Sequence, residues 1–268
     1  MNQTRTGTLT SADGTAIVFD QSGAGPAVIL VQGALMDRRD PVMSGLAAGL
    51  AQWFTVFSYD RRGHGASGDT PPYAVDRETE DLAAVITAAG GSAAVFGGSS
   101  GAGLALRAAA RDRAISRLAV WEPPYHVDAS APELPADFAG QLDRLIKAGR
   151  AGEAVERFML EAAQIAPEAV AGMRAQPFWA AMEAGARTLV YEALVMGPDN
   201  VLPAKLLGAV TQPSLVLTGG SSPAWMARAG EAVARVIPGA NLRVLEGQTH
   251  NVAPGAIVPA LREFFAAA

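Results

Sequence analysis

The chain has 268 residues, half of them hydrophobic and 18% charged, with 21 Lys and Arg, 26 Asp and Glu, 3 His and no Cys. That hydrophobic content excludes a disordered chain and suits one large α/β domain. A net charge of −5 offers no basic field to a nucleic-acid backbone, and the lack of Cys excludes disulfides, a thiolate nucleophile and Cys-ligated metals. With only His64, His126 and His250 available, no metal site and no other cofactor is expected.

The N-terminal stretch Met1-Asn2-Gln3-Thr4-Arg5-Thr6-Gly7 is polar and has no apolar segment of a secretory signal, so a soluble, cytoplasmic protein is expected. The long uncharged stretch 82–107 is interrupted at Gly90-Gly91 and again at Gly97-Gly98. Glycines at that spacing would break a spanning helix twice, so no membrane insertion is expected.

In chain order, Thr8-Leu9-Thr10 and Ala16-Ile17-Val18-Phe19 flank the tight-turn sequence Ala12-Asp13-Gly14 and predict a β-hairpin. Four short apolar runs follow, at 27–31, 55–59, 93–96 and 118–121, each too short for a helix. Between them, 44–53, 77–89 and 102–111 carry helical periodicity. This alternation predicts parallel strands buried beneath helices on both faces. From Pro123 to about Gly197 the strand signals stop, and 138–148, 153–165 and 178–196 read as helices. Strands resume at 213–218 and 241–245, with helices at 224–236 and 254–267. The prediction is a mostly parallel sheet of about eight strands, formed by 1–123 and 199–268 and interrupted by a helical cap over 124–198.

One motif carries chemistry. Gly97-Gly98-Ser99-Ser100-Gly101 is a G-x-S-x-G placed where a predicted strand ends and a helix begins. A turn that sharp needs small residues on either side of the serine, and it lifts the hydroxyl above the carboxyl edge of the sheet. The helix N-terminus then supplies N–H groups to a developing oxyanion. The register favours Ser99 over its neighbour Ser100 as nucleophile.

Here the chain resembles the α/β-hydrolase family along essentially its whole length. Tyr59-Asp60-Arg61-Arg62-Gly63-His64-Gly65-Ala66-Ser67 is similar to the family's D-x-R-G-x-G-x-S segment, and Leu245-Glu246-Gly247-Gln248-Thr249-His250 to its late histidine loop. Gln32-Gly33 stands where the family usually has His-Gly. The resemblance implies Ser99 as nucleophile, His250 as general base, and the N–H groups of Ala34 and Ser100 as oxyanion donors. It makes Asp60, Arg61 and His64 scaffold residues. Gln32, Tyr125, His126 and Trp179 are expected to line the substrate pocket.

The chain departs from the family at the triad acid. The loop after the seventh strand, Thr218-Gly219-Gly220-Ser221-Ser222-Pro223, has Ser222 in the acid's place, and no Asp or Glu lies between Lys205 and Glu231. Glu122, at the end of the strand after the nucleophile helix, is the first candidate; some haloalkane dehalogenases place a Glu similarly. Asp199 is the alternative, and Glu122 could instead serve only to tie down the Pro123-Pro124 turn. The function implied is a serine hydrolase acting on an ester, thioester, lactone or related carbonyl in a medium-sized, largely apolar small molecule. The competing functions are a non-hydrolytic enzyme of the same fold (lyase, cyclase or cofactor-free oxygenase) and a ligand-binding relative. A serine at position 99 argues against the epoxide hydrolase and haloalkane dehalogenase branches, whose nucleophile is a carboxylate.

Overall fold

The computed structural model describes residues 4–267; residues 1–3 of the polar N-terminal stretch and residue 268 lie outside the described residues. Eight strands form one sheet: β1 (Arg5–Thr10), β2 (Ala16–Gly23), β3 (Ala27–Val31), β4 (Thr55–Tyr59), β5 (Ala93–Gly98), β6 (Ile115–Trp121), β7 (Ser214–Gly219) and β8 (Asn241–Leu245). Their order is β1-β2-β4-β3-β5-β6-β7-β8. The hairpin β1–β2 is antiparallel, β2 also runs antiparallel to β4, and every later pairing is parallel.

The period-two pleat explains why the central strands read as unbroken apolar runs. In β3, Val28 and Leu30 face one layer while Ile29 and Val31 face the other. In β6, Leu118 and Val120 face the second layer while Ala119 and Trp121 face the first. With helices on both sides, each residue of such a strand is buried, so no polar alternation remains. Helices α1 (Pro41–Leu50) and α11 (Pro254–Ala266) cover one face through Leu46, Leu50, Ile257 and Leu261. Helices α2 (Val75–Ala88), α3 (Ser100–Ala109) and α10 (Ala224–Val236) cover the other through Leu82, Val85, Leu104 and Val233.

Between β6 and β7 the described chain contributes no sheet strand. It forms α4 (Phe138–Lys147), α5 (Ala151–Arg157), α6 (Pro167–Arg174), α7 (Trp179–Gly185), α8 (Thr188–Met196) and the short α9 (Ala204–Leu207). The first five build their own apolar cluster around Leu142, Val155, Met159, Trp179 and Leu189. Two expected helices are broken. The one at 153–165 gives way at Phe158–Ala162 to a π-helical turn, with the Ala163 N–H donating to the Phe158 carbonyl. The one at 178–196 stops at Ala186 and restarts as α8. Helix α6 was not anticipated, although Pro167 at its first turn followed by Glu168 is a helix-start signal.

Candidate active site

Parallel strands deliver their carboxyl ends to one edge, and there the loops after β3, β5, β6 and β8 meet. Ser99 sits between β5 and α3 with φ 55° and ψ −128°, a conformation L-residues rarely adopt. Two glycines make this turn possible. A Cβ on Gly97 would come within 2.5 Å of the Gly101 carbonyl, and one on Gly101 within 2.4 Å of the Gln32 carbonyl. Neither position can hold a side chain without moving backbone.

Three predicted residues converge. Ser99 Oγ lies 3.1 Å from His250 Nε2, and His250 Nδ1 lies 2.8 Å from Glu122 Oε2. Glu122 is fully buried, and its second oxygen accepts the Gly219 N–H at 2.8 Å. Its own backbone has φ 41°. Thus the end of β7, where the family's acid usually stands, instead contributes an N–H that fixes the carboxylate arriving from β6. The His250 loop is anchored by Trp121, whose indole N–H donates to the His250 carbonyl at 2.9 Å. Asp199, the alternative acid, stands beside the His126 ring, while both ring nitrogens of His250 are already taken by Ser99 and Glu122.

The Gly33–Ala34 loop lies against the serine, since a Cβ on Gly33 would sit 3.1 Å from Ser99 Cβ. Among the described residues none accepts the Ala34 N–H. Ser100 opens α3, where first-turn N–H groups lack an intrahelical acceptor. Leu35, next in the loop, has φ 59° and packs with Ala34 against the helical insertion.

Two cavities, about 60 and 360 Å³, meet at Ser99, Phe158, Ala163 and His250. Pro124, Phe138, Glu192, Met196 and Asn200 extend the smaller one. Ala34, Met36, Met43, Leu46, Met173 and Met182 extend the larger one.

All four expected pocket residues lie elsewhere, each for a physical reason. Gln32 is 1% exposed, and its amide bridges the Tyr59 carbonyl at 2.7 Å and the Arg61 N–H at 2.9 Å. These bonds fix the residue that leads into the Gly33–Ala34 loop. Tyr125 is wholly buried in the core, and burial pushes its hydroxyl up to about 12. His126 pairs through its backbone with Asn200 and meets Trp225 edge-on, with burial lowering the pKa of its ring. Trp179 belongs to the core of the insertion and donates to Glu183 at 2.9 Å. Phe158, Glu192 and Asn200 were missed as lining residues. The break of helical pattern before Pro167 is the one sequence signal that could have pointed to Phe158, because π-turns often mark functional sites.

A second set of buried charges lies nearby. Arg61 donates to Glu78 at 2.7 and 2.9 Å and to Glu192 at 2.8 Å. His64 Nε2 lies 3.1 Å from Glu192, and its Nδ1 lies 3.1 Å from the Arg62 carbonyl. Burial opposes ionisation of Glu192, but the charge of Arg61 and the hydrogen bond from His64 outweigh it and hold the carboxyl at about 2. Asp60 is fully buried and accepts the Arg38 and Ala66 N–H groups, each at 2.8 Å.

No helix among the described residues is long and apolar enough to cross a membrane, and no group of three or more His, Asp and Glu residues among them is placed to hold a metal ion. Comparison with known proteins places the chain among hydrolases. It is 53% identical to an alpha/beta hydrolase from Sphaerobacter thermophilus of known structure, with a TM-score of 0.91 and coverage of 97% of this chain and 100% of that one. A thermophilic esterase from Thermogutta terrifontis shares the fold at 23% identity and a TM-score of 0.72, covering 97% of each chain. The 2-(acetamidomethylene)succinate hydrolase of Mesorhizobium japonicum is 29% identical over 87% of this chain and 84% of its own length. The sequence model of the alpha/beta hydrolase family matches residues 28–260. The chain therefore belongs to the alpha/beta hydrolase family.

Proposed function

We propose that the protein is a serine hydrolase that cleaves an ester, thioester, lactone or related carbonyl through an acyl-enzyme on Ser99, with His250 as general base and Glu122 as the triad acid. What supports this reading above all is the continuous line Glu122–His250–Ser99 ending where two cavities meet. Ser99 Oγ attacks the carbonyl carbon and gives its proton to His250 Nε2. Glu122 accepts the other ring N–H, fixing the tautomer and stabilising the imidazolium. The oxyanion is met by the Ala34 and Ser100 N–H groups. His250 then protonates the leaving group as its bond to carbon breaks. Water gives a proton to His250 and attacks the acyl carbon, the bond from that carbon to Ser99 Oγ breaks, and His250 returns the proton to Oγ.

The helical insertion acts in this reading as a cap, residues 124–198, that walls the cleft with Phe138, Phe158, Met173 and Met182. Methionine and phenylalanine walls suit a medium-sized apolar small molecule. The test is labelling with a fluorophosphonate probe alongside turnover of short- and long-chain p-nitrophenyl esters. Labelling and turnover are expected in the native protein and neither in Ser99→Ala. A folded native protein that takes no label and cleaves no ester favours the non-hydrolytic or ligand-binding readings and overturns this one.

A further inference from the structure

We infer that the site selects neutral substrates and excludes those carrying a carboxylate, with Glu192 and Asp40 setting that choice. The inference rests on the hydrolase reading for the bond that is cut, but it concerns which molecules bind.

Among the described residues that line the two cavities there is no Lys and no Arg, and the only formally charged side chains are Glu192 in the smaller and Asp40 in the larger. Glu192 is 1% exposed and stays ionised, because Arg61 and His64 hold its carboxyl at about 2. The Arg61 guanidinium is in turn neutralised by Glu78 and Glu192 together. Arg38, on the loop before α1, is likewise taken by Asp60 and Asp20. Asp40 accepts the Val42 N–H at 2.8 Å as the cap of α1, and among the described residues no cation pairs with it. The Ala34 and Ser100 N–H groups are committed to the carbonyl oxygen during reaction.

A substrate carboxylate entering either cavity would thus lose water, find no cation, and face a like charge. Burying an unpaired ion is among the most unfavourable events in an apolar site. A neutral ester meets none of this. The same field also acts after reaction: hydrolysis creates a carboxylate in the cavity, and its repulsion favours release of the acid product. The Mesorhizobium relative is named for a succinate, so similarity over most of the chain does not by itself carry its substrate charge to this site.

The experiment compares 4-nitrophenyl methyl adipate with the mono-4-nitrophenyl adipate anion, two esters differing mainly in one charge. Binding of each to Ser99→Ala is measured by calorimetry at pH 8 and fixed ionic strength, and turnover by the native protein is followed in parallel. The neutral ester is expected to bind Ser99→Ala at least about 100-fold more tightly, the scale set by an unpaired buried charge. Asp40→Asn keeps an acceptor for the α1 cap and is expected to narrow the gap about threefold by removing one like charge. Equal or tighter binding of the anion overturns the inference, as does turnover of 2-(acetamidomethylene)succinate at a kcat/KM matching the neutral ester. If native protein cleaves neither adipate ester while Ser99→Ala keeps the binding preference, the hydrolase reading falls and the charge selection stands.

Discussion

Two carboxylate–imidazole pairs occupy this molecule, and they differ in what the second ring nitrogen meets. His250 lies 2.8 Å from Glu122 and points its other nitrogen at Ser99 Oγ, with its side chain 34% exposed to the cleft. His64 lies 3.1 Å from Glu192, but its other nitrogen faces the Arg62 carbonyl and its side chain is 4% exposed. Glu122 is balanced only by a backbone N–H besides the imidazole, whereas Glu192 also carries the charge of Arg61. A backbone carbonyl has no proton to give, so the His64 ring, unlike that of His250, stands beside no hydroxyl. The same residue types therefore line up on a serine hydroxyl at one place and rivet the insertion to the sheet at the other.

The comparison can be broken first at the serine. Ser99→Ala is expected to lower kcat/KM on a neutral p-nitrophenyl ester by about 10⁴-fold or more while the unfolding transition stays in place. Glu122→Gln comes next, with a loss of about 10³- to 10⁴-fold as expected for a misdirected imidazole. Adding Ser222→Asp should recover part of that loss, because the Ser222 hydroxyl stands close to Gly219, whose N–H holds Glu122. Near-normal turnover in Glu122→Gln would reduce the first pair to a structural one like the second.

Glu192→Gln should behave in the opposite way. Removing one partner of a buried pair costs about 3 kcal/mol or more, read as a lower midpoint in urea, while turnover per folded molecule falls far less than in Glu122→Gln. Its pH dependence follows from the same charges. The carboxyl of Glu192 is held at about 2, below its ordinary value of 4.5. The stability it contributes is thus present above pH 4.5 and is lost as pH falls toward 2. Thermal unfolding followed from pH 7 to pH 2 should show that loss in native protein and less of it in Glu192→Gln.

The smallest effect is expected on the alkaline side. Tyr59 and Tyr73 lie beside this second network, with the Tyr73 hydroxyl donating to Glu78 at 2.7 Å. Burial, reinforced by Glu78, raises both phenols above their ordinary value of 10.0. A raised acid keeps its proton in the folded state, so this stability is full below pH 10 and declines as pH rises beyond it. The melting temperature should be level from pH 7 to 9 and then fall, by less in Tyr73→Phe than in the native protein.

Much of this was legible along the chain. The strand runs, the βαβ spacing and the interruption after Pro123 follow from local periodicity, and a strand buried on both faces announces itself as an apolar run. The G-x-S-x-G turn and the terminal His250 were readable because a strained turn leaves a compositional mark: Gly97 and Gly101 admit no Cβ. Glu122 could be nominated because the rival loop contains no acid, so composition and chain order alone narrowed the choice.

The tertiary structure decided what sequence spacing cannot encode. Whether Glu122 or Asp199 meets His250 depends on where two loops end, and β7 settles it by offering the Gly219 N–H. Gln32, Tyr125, His126 and Trp179 have polar tips that suit a pocket, yet their neighbours hold them elsewhere: Gln32 by Tyr59 and Arg61, Tyr125 in the core, His126 against Trp225, and Trp179 in the core of the insertion. Phe158 and Glu192 reach the cleft because the helical insertion brings them to the same cavity as Ser99 and His250. Helical periodicity tells which face of a helix is apolar, but the same apolar face can fill a core or wall a cavity. Only the packing partner distinguishes the two, and that partner lies far away in the chain.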